Sequence, residues 1–283
     1  MIKVAQFMKA HGMDAERIDL SEYTKEFACA MRRGLAQQQK NMPMLPTYLY
    51  SSGKLRKGEK AIVIDAGGTN FRRALIGFDG KKAVIDCLDK RQMPGTEEPA
   101  TWNDFISGVA DCVQPLIKQT KNIGFCFSYP VEITPECDGK VLGLTKQVKI
   151  EGASGSYLGA SLRAELEKRG EQPDRIVVLN DTPATLLAGK VLSKGNYDGY
   201  IGLVAGTGCN TCCEIECDKI EKRFRLKRSK KNCLTDIALQ AIQTVRSFCP
   251  CIKNMAQICL LCWMQNSHVF SMTAIQVNIL PKK

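Results

Sequence analysis

The distribution of glycine divides this chain. All 23 Gly lie before residue 218, and the last 66 residues have none. At an average usage of about 7%, a stretch of that length should hold about four or five. Charge divides at the same place. Residues 218–283 carry 12 Lys+Arg against 3 Asp+Glu, whereas residues 1–217 carry 28 against 26. The formal net charge of +11 therefore resides almost wholly in the tail, where eight Lys or Arg fall within the thirteen residues Lys219–Lys231. Glycine supplies the positive-φ positions that compact turns need. A body with them and a basic tail without them are not expected to form one folding unit.

The body is long enough to bury a core. Of 283 residues, 44% are hydrophobic and 24% charged, which excludes collagen-like, low-complexity and largely disordered classes. No apolar run approaches the roughly 20 residues of a membrane-spanning helix, so no membrane partner is expected. Met1–Leu20 carries Asp14, Glu16, Arg17 and Asp19 without an apolar core, so no secretory signal is read there. The 14 Cys are then expected as reduced thiols in the cytoplasm.

Periodicity gives an α/β order. Asp14–Gln39 reads as a helix. Ala61–Asp65 is a buried strand run, followed by a Gly-Gly turn, a strand over Phe71–Phe78, the turn Asp79-Gly80, and a strand over Ala83–Leu88. Helices are expected near Thr101–Gln119, Ser156–Arg169 and Thr182–Leu192. Strands are expected at Asn122–Tyr129, Arg175–Asn180, Tyr200–Ala205 and Asn210–Glu216. No internal repeat is visible in the sequence.

The polar groups that suit chemistry follow the strands. In Asp65-Ala66-Gly67-Gly68-Thr69-Asn70, adjacent glycines allow several backbone N–H groups to face one concavity, which suits phosphate oxygens. Asp65 is of the type that holds hydrated Mg²⁺. A plain hairpin turn accounts for the same segment equally well. Gly206-Thr207-Gly208 follows a second strand and can face a polyphosphate from the other side. No Gly-Lys-Ser/Thr and no complete G-x-G-x-x-G is present, so P-loop and dinucleotide-fold readings are weak. Asp181, after Asn180, can accept a hydroxyl proton during attack on phosphorus. Taken alone, it reads more simply as a helix cap ahead of Thr182-Pro183. Ser128, Thr145, Lys146, Asn180, Asp181 and Asn210 together offer the hydroxyl, ammonium, amide and carboxylate groups that suit a polyhydroxyl ligand, although any one of them alone reads more simply as scattered loop polarity.

Taken together, five segments resemble the hexokinase family of the sugar kinase, Hsp70 and actin superfamily. Asp65-Ala66-Gly67-Gly68-Thr69-Asn70-Phe71-Arg72 resembles its first phosphate motif. Gly124–Pro130 resembles "GFTFSFP", and Leu144-Thr145-Lys146 resembles "WTKGFK". Leu179–Thr182 resembles "NDTVGT", and Gly202–Cys212 resembles "GLIVGTGTNACY". The resemblance covers about residues 15–217. It implies an actin-like ATPase, ribonuclease H-like α/β fold, with a nearly complete small lobe and a partial large lobe. The implied division is an N-terminal helical segment at 1–57, the small lobe at 58–181, the start of the large lobe at 182–217, and a non-homologous or disordered basic Cys-rich tail at 218–283.

The implied activity is transfer of the ATP γ-phosphoryl group to the 6-hydroxyl of a hexose such as glucose, the first step of glycolysis. By family role, Asp181 is the base. Ser128, Thr145, Lys146, Asn180, Asp181 and Asn210 hold the sugar. Asp65, Gly67, Gly68, Thr69, Asn70, Arg72, Gly206, Thr207 and Gly208 serve ATP and Mg²⁺, with no direct protein metal ligand assigned. The alternative is an inactive hexose-binding or regulatory protein. Leu144 replaces the motif Trp, Pro183-Ala184 interrupt "TVGT", and the "NMEWG" segment and adenosine loop of the family are missing after Glu216. Two lesser readings concern cysteine and charge. Cys209-x-x-Cys212 and Cys259-x-x-Cys262 are zinc-type pairs, but 46 residues separate them against the usual 15–20 or so. The basic run suits nucleic acid less well than a solvated tail. Without the rest of a large lobe, the apolar faces of Thr182–Leu192 and Tyr200–Glu216 are expected to be exposed.

Overall fold

The structure, a computed structural model, describes residues 2–11, 19–39, 41–50, 57–68, 70–80, 83–144, 148–192, 199–205, 209–222, 232–236 and 274–278. The chain opens with helices α1 (Ile2–Ala10) and α2 (Leu20–Ala36) and strand β1 (Leu45–Tyr50). The strands β2 (Lys60–Ala66), β3 (Asn70–Phe78) and β4 (Ala83–Gln92) follow as an antiparallel meander. Then come β5 (Ala100–Thr101), α3 (Trp102–Val113), β6 (Asn122–Phe127), β7 (Val131–Ile133), β8 (Gly139–Val141) and β9 (Ile150–Glu151). The elements α4 (Leu158–Lys168), β10 (Arg175–Leu179), α5 (Asp181–Leu192), β11 (Tyr200–Ala205) and β12 (Cys209–Glu216) complete the body. The strands β13 (Asn232–Asp236) and β14 (Ala274–Asn278) come from the tail.

The helix boundaries have local causes. The expected helix over 14–39 starts at Leu20, where the Asp19 carboxylate accepts the Ser21 and Glu22 amides. Residues 12–18 lie outside the described set. A Thr101–Asp104 capping box opens α3, and the helix stops at Val113, two residues ahead of Pro115. The Asp138 carboxylate accepts the Gly159 and Ala160 amides and so holds the start of α4, although Asp138 lies some twenty residues upstream.

Two five-stranded sheets result. The first has the order β10-β6-β2-β3-β4, with β2, β6 and β10 parallel and the meander antiparallel. The second has the order β1-β13-β12-β11-β14, antiparallel throughout. Each sheet contains a three-strand meander whose first turn leads into an asparagine, Asn70 at the start of β3 and Asn210 as the second residue of β12. In the sequence this repetition shows only as the short Ala-Gly…Asn segments Ala66–Asn70 and Ala205–Asn210, too short to read as an internal repeat.

One apolar cluster joins the parallel strands to α3 and α4. It holds Ile62 and Ile64 of β2, Phe125 and Phe127 of β6, Phe105 and Val109 of α3, and Leu158, Leu162 and Leu166 of α4. Strict polar alternation is absent from β2 and β6, as expected for strands covered on both faces. A smaller cluster holds Leu186 of α5, Tyr200 of β11 and Cys212 of β12.

Two expectations are corrected here. The apolar faces of α5 and β11 are covered, with Leu186, Tyr200 and Leu203 all buried, because α5 lies against β11 and β12. The body also runs past Cys217. Cys217 and Ile220 belong to the main core, and Lys222 Nζ donates to the carbonyls of Gly34 and Pro43, which ties residues 217–222 to the end of α2.

Candidate functional site

The parallel strands β2, β6 and β10 are neighbours, so their C-terminal ends lie along one edge of the first sheet. Ligands of open α/β sheets sit at such an edge. β2 ends in Asp65-Ala66 and runs into Gly67-Gly68. β6 runs into Ser128-Tyr129, and β10 into Asn180-Asp181. The Ser128 amide donates to the Ala66 carbonyl at 3.1 Å, so the first two segments leave their strands side by side.

Asn180 joins the remaining pieces. Its Nδ2 donates to the carbonyls of Phe127 at 3.2 Å and Tyr129 at 3.5 Å. Its Oδ1 accepts the Thr182 amide at 3.1 Å and Asn210 Nδ2 at 3.4 Å. The second of these bonds crosses from the first sheet to β12 of the second. Asn180 therefore supplies the oxygen at the start of α5, a role the sequence offered to Asp181. Asp181 is instead the first helical residue, with Thr182 Oγ1 donating to its Oδ1 at 3.2 Å. The positive end of α5 favours its negative charge.

Asp65 is almost fully buried. Its Oδ2 pairs with Arg72 Nη1 at 2.7 Å, and its Oδ1 has no hydrogen-bond partner among the described residues. Burial pushes the Asp65 carboxyl above its ordinary value, and the negative charge of Asp181 adds to the rise, while Arg72 opposes it. The two carboxylates are thus near enough to repel. The Cys126 thiol lies buried beside both. Burial first, and then the charges of Asp65 and Asp181, raise its pKa well above the usual thiol range. Burial also raises the Tyr129 phenol.

An orphaned, buried carboxylate oxygen fits a hydrated divalent cation, which binds through few protein oxygens and retains its waters. Two carboxylates under mutual repulsion fit it as well. The geometry brings together Asp65 on β2, Gly67 and Gly68 after it, Asn70 and Arg72 on β3, Ser128 after β6, Asn180 and Asp181 after β10, and Asn210 on β12. Thr69, Thr145, Lys146, Gly206, Thr207 and Gly208 lie outside the described residues. So do Cys259, Cys262 and the basic run 223–231. The side chain of Cys209 is likewise outside the described set. No group of three or more His, Cys, Asp or Glu suited to hold a metal ion occurs among the described residues.

Two residues of the Gly124–Pro130 segment have surroundings at the site that the sequence does not disclose. Cys126 reads only as a strand residue, and nothing local says that it faces two carboxylates. Tyr129 reads as the last residue of a strand, yet it lies past the end of β6, is fully buried, and its hydroxyl donates to the Gly67 carbonyl at 3.0 Å. A tyrosine next to a proline just past an apolar strand is the one local signal of a hydroxyl held at a strand end.

Comparison with known proteins bears on the family and the fold. The family model described as Hexokinase matches residues 3–191. Hexokinase-1 of Schizosaccharomyces pombe is 29% identical over 201 residues, which cover 68% of this chain and 41% of that protein. Glucokinase-1 of Kluyveromyces lactis is 30% identical over 229 residues, covering 72% of this chain and 47% of that one. This chain spans less than half the length of these relatives. A Schistosoma mansoni hexokinase solved in complex with glucose superposes with a TM-score of 0.62 at 22% identity, over 75% of this chain and 49% of that one. A second hexokinase crystal structure gives 0.60 at 18% identity. The α/β architecture is therefore the actin-like ATPase fold, present over about half of those chains. With the family model matching two thirds of its residues, this chain belongs to the hexokinase family.

Proposed function

We propose that this chain carries the sugar-binding and first phosphate-binding parts of a hexokinase site, acting on a hexose such as glucose with ATP as phosphoryl donor. The observation that carries this reading is the Asn180–Asn210 bond between the two sheets. It draws hydroxyl-binding side chains from both around Asp181. In this reading Ser128, Asn180 and Asn210 hold the sugar hydroxyls, with Thr145 and Lys146. Asp181 accepts the proton of the 6-hydroxyl as that oxygen attacks the γ-phosphorus and ADP departs. The Gly67-Gly68-Thr69-Asn70 turn and Gly206-Thr207-Gly208 receive the phosphates. Asp65 holds the hydrated Mg²⁺, which neutralises phosphate charge when bound. Arg72 fixes the Asp65 carboxylate and contributes positive charge beside it. We place the protein in the cytoplasm, at the first step of glycolysis. No helix among the described residues is long and apolar enough to cross a membrane.

Asp181→Asn is the direct test. Removing the base while keeping its shape should lower glucose 6-phosphate formation by about 10²- to 10⁴-fold. Glucose affinity, measured by calorimetry, should change little. Equal turnover in both proteins would dispose of the catalytic assignment. Because this chain spans less than half of its relatives, the same titration also separates a second reading. Glucose binding with no turnover by the wild type assigns the chain as a hexose-binding protein.

A further inference from the structure

We infer that Tyr129 is a positioning residue, which locks the Gly67–Gly68 peptide so that the Gly68 N–H faces the phosphate side of the site. The inference rests on the reading of Gly67-Gly68 as a phosphate turn.

The argument begins with the tyrosine ring. It packs against Phe127 with the ring centroids 5.0 Å apart and the planes tilted by 47°, and Phe127 in turn contacts Phe125 and Phe105. Buried rings in such a chain have little freedom, so the hydroxyl is placed by the core rather than by the loop. That hydroxyl donates to the Gly67 carbonyl at 3.0 Å. On the other side of the residue, the Gly67 amide donates to the Asn70 carbonyl at 2.9 Å. The loop is thus tied at both ends of Gly67.

Peptide planarity extends the consequence by one residue. In a trans peptide the C=O of one residue and the N–H of the next point in opposite directions. Pinning the Gly67 oxygen on Tyr129 therefore turns the Gly68 N–H away from the core. A Gly-Gly peptide has no Cβ on either side and flips easily when it is not held. A flip would present a carbonyl oxygen where an anion needs a donor. The Tyr129 backbone is itself held, since its carbonyl accepts Asn180 Nδ2 at 3.5 Å. One aromatic residue thus connects the sugar segment, the base-bearing strand end and the phosphate turn.

The experiment compares the full-length wild type with Tyr129→Phe, both carrying ¹⁵N-glycine. The variant keeps the ring and removes only the hydroxyl. In the unliganded proteins, microsecond–millisecond relaxation dispersion at the Gly68 amide is expected in the variant and absent from the wild type. With Mg-ADP, nucleotide affinity should weaken about tenfold while glucose affinity stays unchanged. In turnover, KM for ATP should rise with KM for glucose constant. A hydroxyl that served only packing would lower the melting temperature without separating the two ligands. A Gly68 amide as quiet in the variant as in the wild type overturns the inference. If the wild type binds no nucleotide, the phosphate-turn reading fails. The lock is then decided by the unliganded dispersion alone, which supports it if confined to the variant and refutes it otherwise.

Discussion

Asp65 shows how far a single residue's environment departs from its local sequence. Its folded pKa is raised above the ordinary 3.8, first by burial. The folded chain therefore tolerates the ionised form less well than the unfolded chain does. The sign follows from linkage: the native state binds more protons, so this destabilising contribution is absent below pH 3.8, grows as pH rises through the raised folded value, and is constant above it. Asp65→Asn should remove that contribution. As pH rises from 3.8, scanning calorimetry should find the wild-type melting temperature falling relative to the variant until Asp65 is fully ionised in the folded chain. A constant difference would show that Asp65 ionises as it would in water. The slope is the readout, because the substitution also leaves Arg72 without its 2.7 Å partner and so shifts the absolute value. The sequence marks Asp65 as a carboxylate at a strand end. It does not show that Asp181, 116 residues later, is near enough to repel it.

Among the secondary-structure elements, α5 and β11 set the position of the site. Gly202 faces α5 so closely that a Cβ there would lie 2.8 Å from the Thr182 carbonyl and 2.9 Å from Leu186 Cβ. Backbone cannot yield as a flexible side chain does, so Gly202→Ala should cost about 1–3 kcal/mol in chemical denaturation. It should also weaken glucose binding, since the same displacement moves Asn180 and Asp181 at the head of α5. Unchanged stability would mean that α5 and β11 are less tightly apposed. Both elements are legible from apolar periodicity, and their observed limits, Asp181–Leu192 and Tyr200–Ala205, lie within a residue of the expected ones. Their closeness is not legible. A glycine within an apolar strand run signals a close approach without saying to what.

For the molecule as a whole, the second sheet is completed by residues far apart in the chain. β1, which precedes the phosphate turn, pairs with β13 from the basic tail, and β14 from the tail pairs with β11. Ile220, three residues beyond the break in composition, is buried in the main core. Ile220→Ala should therefore destabilise the whole body by about 2–5 kcal/mol. A loss below about 0.5 kcal/mol, as at an exposed site, would show that the core ends before it. The sequence by itself determined the alternation of strands and helices, the first meander with its Gly-Gly turn, and the polar residues that follow each apolar strand. These are set by side-chain periodicity and turn chemistry, which act over a few residues. Tertiary structure alone decided that Asn180 rather than Asp181 caps α5, that Asn210 reaches Asn180 across the sheets, that Tyr129 holds Gly67, and that residues 217–222 belong to the body. Each of these depends on which strand ends become neighbours, and that is fixed by long-range pairing and shared burial rather than by local pattern.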